Sequence, residues 1–305
     1  MNPINRLNQT KAFGWPGIEP RWTHGGKDGV GTAYAASSRV WFTFWNGIVT
    51  EVYYPTVDRP QLRDLQYLIT DGTSFFHDEK RDLKSTLERL ADHVLGYRCT
   101  NSDPAGHYAI VKEVIADPHL ACILQHTKLT GDESFLSKLR LYALCAPHLE
   151  VGGWGNNGTV ARVAGRTVLI AERKGTWLAM AATVPFARVS CGYVGRSDGW
   201  TDLHGNFQMD WEFTPVQFPV KLCVHATPRE RIAPFDRRLF PRRPGSSRLE
   251  IFGRSHLGDR DHLQLCRRIC AHGGAGDFVF ARRGQHHDFR ALGCFRVERV
   301  SRRQQ

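Results

Sequence analysis

Arg39-Val40-Trp41-Phe42-Thr43-Phe44-Trp45 is followed by Asn46-Gly47 and then by Ile48-Val49-Thr50-Glu51-Val52-Tyr53-Tyr54. Both flanks are aromatic and β-branched, the side chains that suit a pleated, half-buried surface. Asn-Gly between them fits a two-residue turn whose central residues need positive φ, the strongest short-range hairpin signal a sequence offers. This stretch commits the chain to β-structure.

The same texture continues outward. Leu65 to Thr70 is a short apolar run closed by Asp71-Gly72. Longer β-like runs follow at 96–102, 107–116, 121–130, 136–146, 159–172 and 176–191. Turn residues separate most of them, among them Asp103-Pro104-Ala105-Gly106, Asp117-Pro118 and Gly152-Gly153-Trp154-Gly155-Asn156-Asn157-Gly158. No strand alternates with a long amphipathic helix, which excludes a parallel α/β sheet and argues an antiparallel arrangement. Nine or more strands in about 200 residues are expected to form two packed sheets rather than one open sheet. Residues 83–95 read as one or two helical turns, and residues 13–37 as Gly- and Pro-rich loop. Within that loop, His24-Gly25-Gly26-Lys27-Asp28-Gly29-Val30-Gly31 lacks the spacing of a phosphate-binding loop and reads as a turn with positive-φ glycines.

The 305 residues suffice for one large or two ordinary domains, and 41% apolar content for a packed core. No stretch approaches the roughly 20 apolar residues of a membrane span. The opening Met1-Asn2-Pro3-Ile4-Asn5-Arg6 lacks an apolar signal core, so a cytoplasmic location is expected. Cys99, Cys122, Cys145 and Cys191 sit singly in strand-like apolar runs and read as reduced, buried thiols.

The formal charge is +11, and its location matters more than its size. Residues 221–305 hold 18 Arg and one Lys against eight acids, which accounts for the whole excess. Residues 1–220 are neutral. Past Phe213 the sequence contains no Trp, Tyr, Met or Asn, and apolar periodicity weakens. Three segments result: a polar lead over 1–12, a β-sandwich over 13–215, and an irregular Arg-, His- and Cys-rich tail over 216–305. The tail's composition fits out-of-frame sequence from a GC-rich gene, or a disordered extension. Cys266 and Cys270 with His262, His272, His286 and His287 lack the spacing of a zinc site, so no metal or other cofactor is expected. No aromatic platform interleaves with the tail arginines, so nucleic acid is not expected as a partner.

Several strings together resemble one family. They are Ala12-Phe13-Gly14-Trp15-Pro16-Gly17, Lys27-Asp28-Gly29-Val30-Gly31-Thr32-Ala33-Tyr34 and Ser38-Arg39-Val40-Trp41-Phe42-Thr43. Asn46 through Pro60 and Arg63 through Gly72 continue the pattern, followed by Tyr108-Ala109-Ile110-Val111-Lys112-Glu113-Val114 and Ser197-Asp198-Gly199-Trp200-Thr201-Asp202-Leu203. This colinear set resembles the amino-terminal domain of bacterial and archaeal glucoamylases and glucodextranases, glycoside hydrolase family fifteen. The resemblance implies an all-β fold: a large antiparallel super-β-sandwich related to galactose mutarotase. It also implies a separate catalytic (α/α) barrel of about twelve helices. That barrel carries two glutamates spaced for an inverting hydrolysis, about 6.5–9.5 Å apart. Neither glutamate can be placed in this sequence, so no catalytic residue is assigned. Twelve helices need about 130 residues before any loops, more than the tail offers.

Candidate contact residues come from two places. Trp41, Phe42, Phe44, Trp45, Tyr53 and Tyr54 alternate along the hairpin and read chiefly as core, with Tyr53 and Tyr54 able to reach a sugar or a neighbouring domain. The stretch from Asp58 to Asp64 reads as a charged loop, with Asp58, Arg59, Arg63 and Asp64 as interface candidates. The expected function is a non-catalytic glucoamylase-type domain whose partner is the barrel or an α-glucan. The alternatives are a mutarotase-like sugar enzyme within the sandwich, and a basic nucleic-acid-binding protein acting through its tail.

Overall fold

The computed structural model describes residues 5–6, 10–33, 35, 39–118, 120–163, 166–182, 184–214, 216–217, 220–226 and 291–302. In chain order the first strands are β1 (Asn5–Arg6), β2 (Gly29–Thr32), β3 (Trp41–Trp45), β4 (Ile48–Tyr53), β5 (Pro60–Thr70) and β6 (Phe76–Asp78). The short helix α1 (Glu79–Asp82) precedes β7 (Lys84–Arg89), β8 (Tyr97–Ser102), β9 (Tyr108–Ala116) and β10 (Ile123–Asp132). After α2 (Glu133–Leu136) come β11 (Arg140–Pro147), β12 (Asn157–Val163), β13 (Arg166–Arg173), β14 (Thr176–Ala182) and β15 (Phe186–Tyr193). Helix α3 (Gly199–Asn206), β16 (Val216–Gln217), β17 (Val220–Ala226) and β18 (Ala291–Arg302) complete the order.

These strands form two sheets, as the sequence led one to expect. One runs β15-β17-β11-β5-β4-β3-β2 with β6 beside β5; the other runs β1-β12-β13-β14-β18-β10-β9-β8-β7 with β16 beside β12. Neighbours pair antiparallel except at β18, which is parallel to both β10 and β14.

The Asn-Gly hairpin forms as read. Asn46 and Gly47 have φ of 46° and 80°, and β3 pairs antiparallel with β4. Phe42 and Phe44 are fully buried, whereas Trp41, Trp45, Tyr53 and Tyr54 are half-buried. The core between the sheets takes Phe42, Phe44, Leu62, Leu65 and Ile69 from one side and Ile110, Val114, Ile123, Leu169 and Met180 from the other. Cys99, Cys122, Cys145 and Cys191 are buried free thiols. Burial drives the Cys99 thiol pKa up to about 11.

An ion pair is sealed in this core. Lys112 Nζ lies 2.7 Å from Glu79 Oε1 and donates to the Gly47 carbonyl at 2.6 Å, with side chains 1% and 0% exposed. Glu79 also accepts from the Tyr67 amide and the Asn101 amide group, and Asn101 donates in turn to Gly47 O. One junction thereby joins β5, α1, β8, β9 and the hairpin turn. Buried charges persist only when paired and hydrogen-bonded in this way.

Several local expectations are corrected. Residues 84–89 are strand β7, not helix, because six consecutive pairs with β8 satisfy their backbone at the sheet edge. Residues 29–32 are strand β2 rather than loop. Gly25, Gly26, Gly29 and Gly31 all lack positive φ. Gly31 is required for another reason: a Cβ there would lie 2.1 Å from Phe42 Cζ. The runs 159–172 and 176–191 each contain two strands, not one. Helix α3 was not anticipated; Asp198 caps it by accepting the Trp200 and Thr201 N–H groups. Three stretches of the tail read as irregular, 216–217, 220–226 and 291–302, are strands. The Cys266 and His cluster, and most of the Arg-rich tail, lie outside the described residues.

Candidate interdomain surface

The end of the sandwich at which β4 and β11 finish and β5 begins is built from the 54–59 turn, the 148–156 loop and an amino-terminal strap over residues 10–28. The turn follows Tyr53. Tyr54 N donates to Arg59 O at 3.0 Å and Arg59 N to Thr56 O at 3.2 Å, which closes it around a cis Tyr54-Pro55 bond. Asp58 is exposed there, its carboxyl held below the usual range by a hydrogen bond from Thr56. Arg59 reaches across to Glu150, Nη2 to Oε2 at 2.8 Å. Buried Gln61 clasps both loops: its amide donates to Tyr54 O at 2.7 Å and its carbonyl accepts from Glu150 N at 2.8 Å.

Arg63 and Asp64 are not in a loop, as the sequence had suggested, but on strand β5. Ala146 pairs with Asp64 and Pro147 with Leu62, so Arg63 is the extra residue of a β-bulge. Leu62 and Leu65 both enter the core, and the two residues between them turn away from it. Arg63 then binds its neighbour, Nε and Nη2 to Asp64 Oδ2 at 2.9 and 2.6 Å, with Lys80 at 3.9 Å. Asp64 is fully buried. Of the six candidates, Asp58 and Arg59 therefore reach solvent, Tyr53, Tyr54 and Arg63 are half-buried, and Asp64 is buried beneath them.

The 148–156 loop holds an unusual backbone. Glu150 and Val151 have φ of 52° and 58°, and for a β-branched residue this left-handed conformation is strained by about 1–3 kcal/mol. Its surroundings hold it there. Arg173 Nη1 donates to the carbonyls of Leu149 at 2.5 Å and Gly152 at 2.9 Å. Asn156 accepts from Leu149 N and donates to Gly152 O and Gly153 O. Thr176 donates to Glu150 Oε1. The outcome is a rigid loop presenting Val151 and Trp154 to solvent.

The strap is pinned along its length. Phe13 packs edge-on against Trp211 and Phe213, Gly17 N donates to Val194 O at 2.9 Å, and Trp22 meets His148 edge-on at 4.8 Å. Pro20 lies so close to Gly153 that a Cβ at 153 would be 2.2 Å from it. Thr23 and Lys27 bind Glu51, and the His24 ring stacks on Trp45. His148, 5% exposed, is driven down to a pKa of about 4 by burial, reinforced by the nearby Arg63 charge.

Among the described residues, the exposed large apolar side chains are Phe13, Trp15, Ile18, Trp22, Val30, Val57, Val151 and Trp154. All except Val30 lie on the strap or the two loops it neighbours. Trp15, Trp22 and Trp154 are 70%, 38% and 50% exposed. Apolar surface concentrated like this marks a contact site. None of these positions was singled out from sequence. The signal was there: Trp15 and Trp154 sit in Gly-rich stretches, where an aromatic has no strand face to bury.

The surface carries little that resembles acid–base chemistry. Glu51, Glu150 and Asp64 are each ion-paired. Asp202 has its carboxyl raised by burial, but it accepts the Trp211 amide N–H and serves the fold. Among the described residues, no group of three or more His, Cys, Asp or Glu could hold a metal ion.

Residues 12–225 match the family described as glucodextranase, domain N. The chain belongs to this family. The match runs ten residues beyond position 215 and takes in β17 as far as His225. A glucoamylase of Clostridium sp. (strain G0005) is 36% identical over 206 residues, 68% of this chain and 29% of that protein. A bacterial glucoamylase solved in complex with acarbose superposes with a TM-score of 0.71 at 32% identity, over 73% of this chain and 33% of that one. The chain thus carries a glucoamylase-type amino-terminal β-sandwich and spans about a third of such relatives.

Proposed function

We propose that this glucodextranase N-type domain is a non-catalytic platform that docks a catalytic (α/α) barrel through the strap-and-loop surface. The observation that carries the reading is that seven of the exposed large apolar side chains lie on the strap, the 54–59 turn and the rigid 148–156 loop. Trp15, Trp22 and Trp154 supply large, stiff contact area, and Asp58, Arg59 and Glu150 supply a charged rim, the usual anatomy of a protein interface. That the relatives extend over three times the matched length supports a partner within the same polypeptide. Residues 10–28, 54–59 and 148–156 together hold four Lys and Arg against four acids, so this surface has no basic excess and neither nucleic acid nor a membrane enters the reading. Among the described residues, no helix is long and apolar enough to cross a membrane. The four buried thiols support our placing the protein in the cytoplasm.

A second reading rests on the same three tryptophans, whose exposed faces suit stacking on glucose rings of an α-glucan. Calorimetry separates the two. The chain is titrated with a glucoamylase catalytic barrel stripped of its own amino-terminal domain, and separately with maltoheptaose. Docking predicts binding to the barrel that Trp22→Ala and Trp154→Ala each weaken at least tenfold, with no heat from maltoheptaose. Absence of binding to the barrel refutes the docking reading, and maltoheptaose binding lost in both variants replaces it with the second.

A further inference from the structure

Without β18 the ten-stranded sheet would have a one-strand gap that no other strand among the described residues closes. Strand β14 pairs on one side with β13, and β10 pairs on one side with β9. Their other edges face each other across the width of one strand, and β18 runs between them. It pairs with β10 through ten residues, Ile123↔Gly293 to Asp132↔Arg302, and with β14 from Ala179↔Ala291 to Ala182↔Phe295. Strand β18 is sequence-distant, separated from β17 by residues 227–290, and lies wholly outside the family match.

The walls of the gap explain why it must be filled. At its narrow end Met180 and Ile123 face the inter-sheet core, while Ala179, Ala181, Cys122 and Leu124 belong to the apolar cluster on the opposite face. All are buried. Two strand edges left open here would strand backbone N–H and C=O groups between two apolar layers, where water cannot replace the lost partners. Alanines at 179, 181 and 182 keep the β14 wall low, so recognition rests on main-chain pairing rather than on fitted side chains.

We infer that the gap between β14 and β10 is a strand-accepting slot, occupied by the extended segment 291–302 of the same chain. It completes the domain by β-augmentation, and the same segment supplied as a separate peptide can fill it. Segment 291–302 enters parallel to both walls, pairing with β14 from Ala291 to Phe295 and with β10 from Gly293 to Arg302.

Hydrogen–deuterium exchange on the full chain tests this. Amides of β10 and β14 are expected to be protected as well as those of β9 and β13. In Val297→Pro, which removes a donor opposite Thr127, the β10 and β14 amides should exchange at least tenfold faster while those of β3 to β5 are unchanged. A twelve-residue peptide of the 291–302 sequence, added in excess, should restore their protection. The inference is overturned if β10 and β14 exchange like free edges in the unaltered chain, if Val297→Pro leaves them protected, or if the peptide restores nothing. Should Val297→Pro unfold the whole chain, the unaltered chain decides alone, by β10 and β14 matching β9 and β13 or falling short of them.

Discussion

Lys112→Met removes the cation from the sealed junction while keeping most of its volume. Glu79 is then left 1% exposed with no cation beside it, holding only the Tyr67 and Asn101 donors. Gly47 O loses its shortest donor, at 2.6 Å, and keeps Asn101 at 2.9 Å and the Cys99 thiol at 3.3 Å. Breaking one half of a buried pair costs about 3–5 kcal/mol, chiefly because the remaining charge is uncompensated. Against a total stability of about 5–15 kcal/mol, that is a large fraction. For a domain of this size each kcal/mol lowers Tm by about 2–4 °C, so a fall of about 6–20 °C is expected. Urea unfolding followed by tryptophan fluorescence measures the loss directly. The double variant Lys112→Met, Glu79→Gln keeps an acceptor for the Tyr67 amide without the charge, and should recover at least 1.5 kcal/mol, about the coupling expected of contacting groups. A single variant within about 0.5 kcal/mol of the parent, the range of a neutral surface change, would refute the reasoning. So would a double variant whose loss equals the sum of the two singles.

Other perturbations bear on the docking surface and the strand order. His148 has a folded pKa of about 4, below the usual 6.5, so the unfolded chain takes up the proton first. The contribution of its neutral ring is full above pH 6.5 and is lost as pH falls towards 4, the loss amounting to about 3 kcal/mol. Urea titrations at pH 7 and pH 4 should show a smaller difference in His148→Asn by about that amount. Arg173→Met removes the donors that hold the 148–156 loop and should cost about 2–3 kcal/mol, while Val151→Gly relieves the positive φ and should gain about 1 kcal/mol, both read by thermal denaturation. Gly31→Ala places a methyl against the Phe42 ring and should cost about 1–3 kcal/mol in the same assay.

The fold was legible because its signals are local. Asn46-Gly47 dictated a turn that only φ-permissive residues make, and alternating runs such as Tyr108–Ala116 placed every second side chain in the core. Residues 84–89 misled because their preference is set by pairing with β8, a partner eight residues further along the chain. Arg63 and Asp64 were recognised as candidates but misplaced, since a bulge depends on register against β11 and leaves no mark in the sequence of β5 alone. The strap, Trp22 and Trp154 escaped notice for the opposite reason. Their importance lies in exposure, at which the Gly-rich settings of Trp15 and Trp154 hinted and which the assembled surface shows. His148 was equally silent: its neutral state follows from burial beside Trp22 and Arg63, residues 126 and 85 positions away.

The central claim, a platform that does no glycosidic chemistry itself, is tested most directly by assaying glucose release from maltotetraose and dextran with the purified chain, beside a full-length bacterial glucoamylase. The full-length enzyme should release glucose and this chain none. Glucose released by the chain above a trace, and abolished when its exposed carboxylates are neutralised in turn, would contradict it.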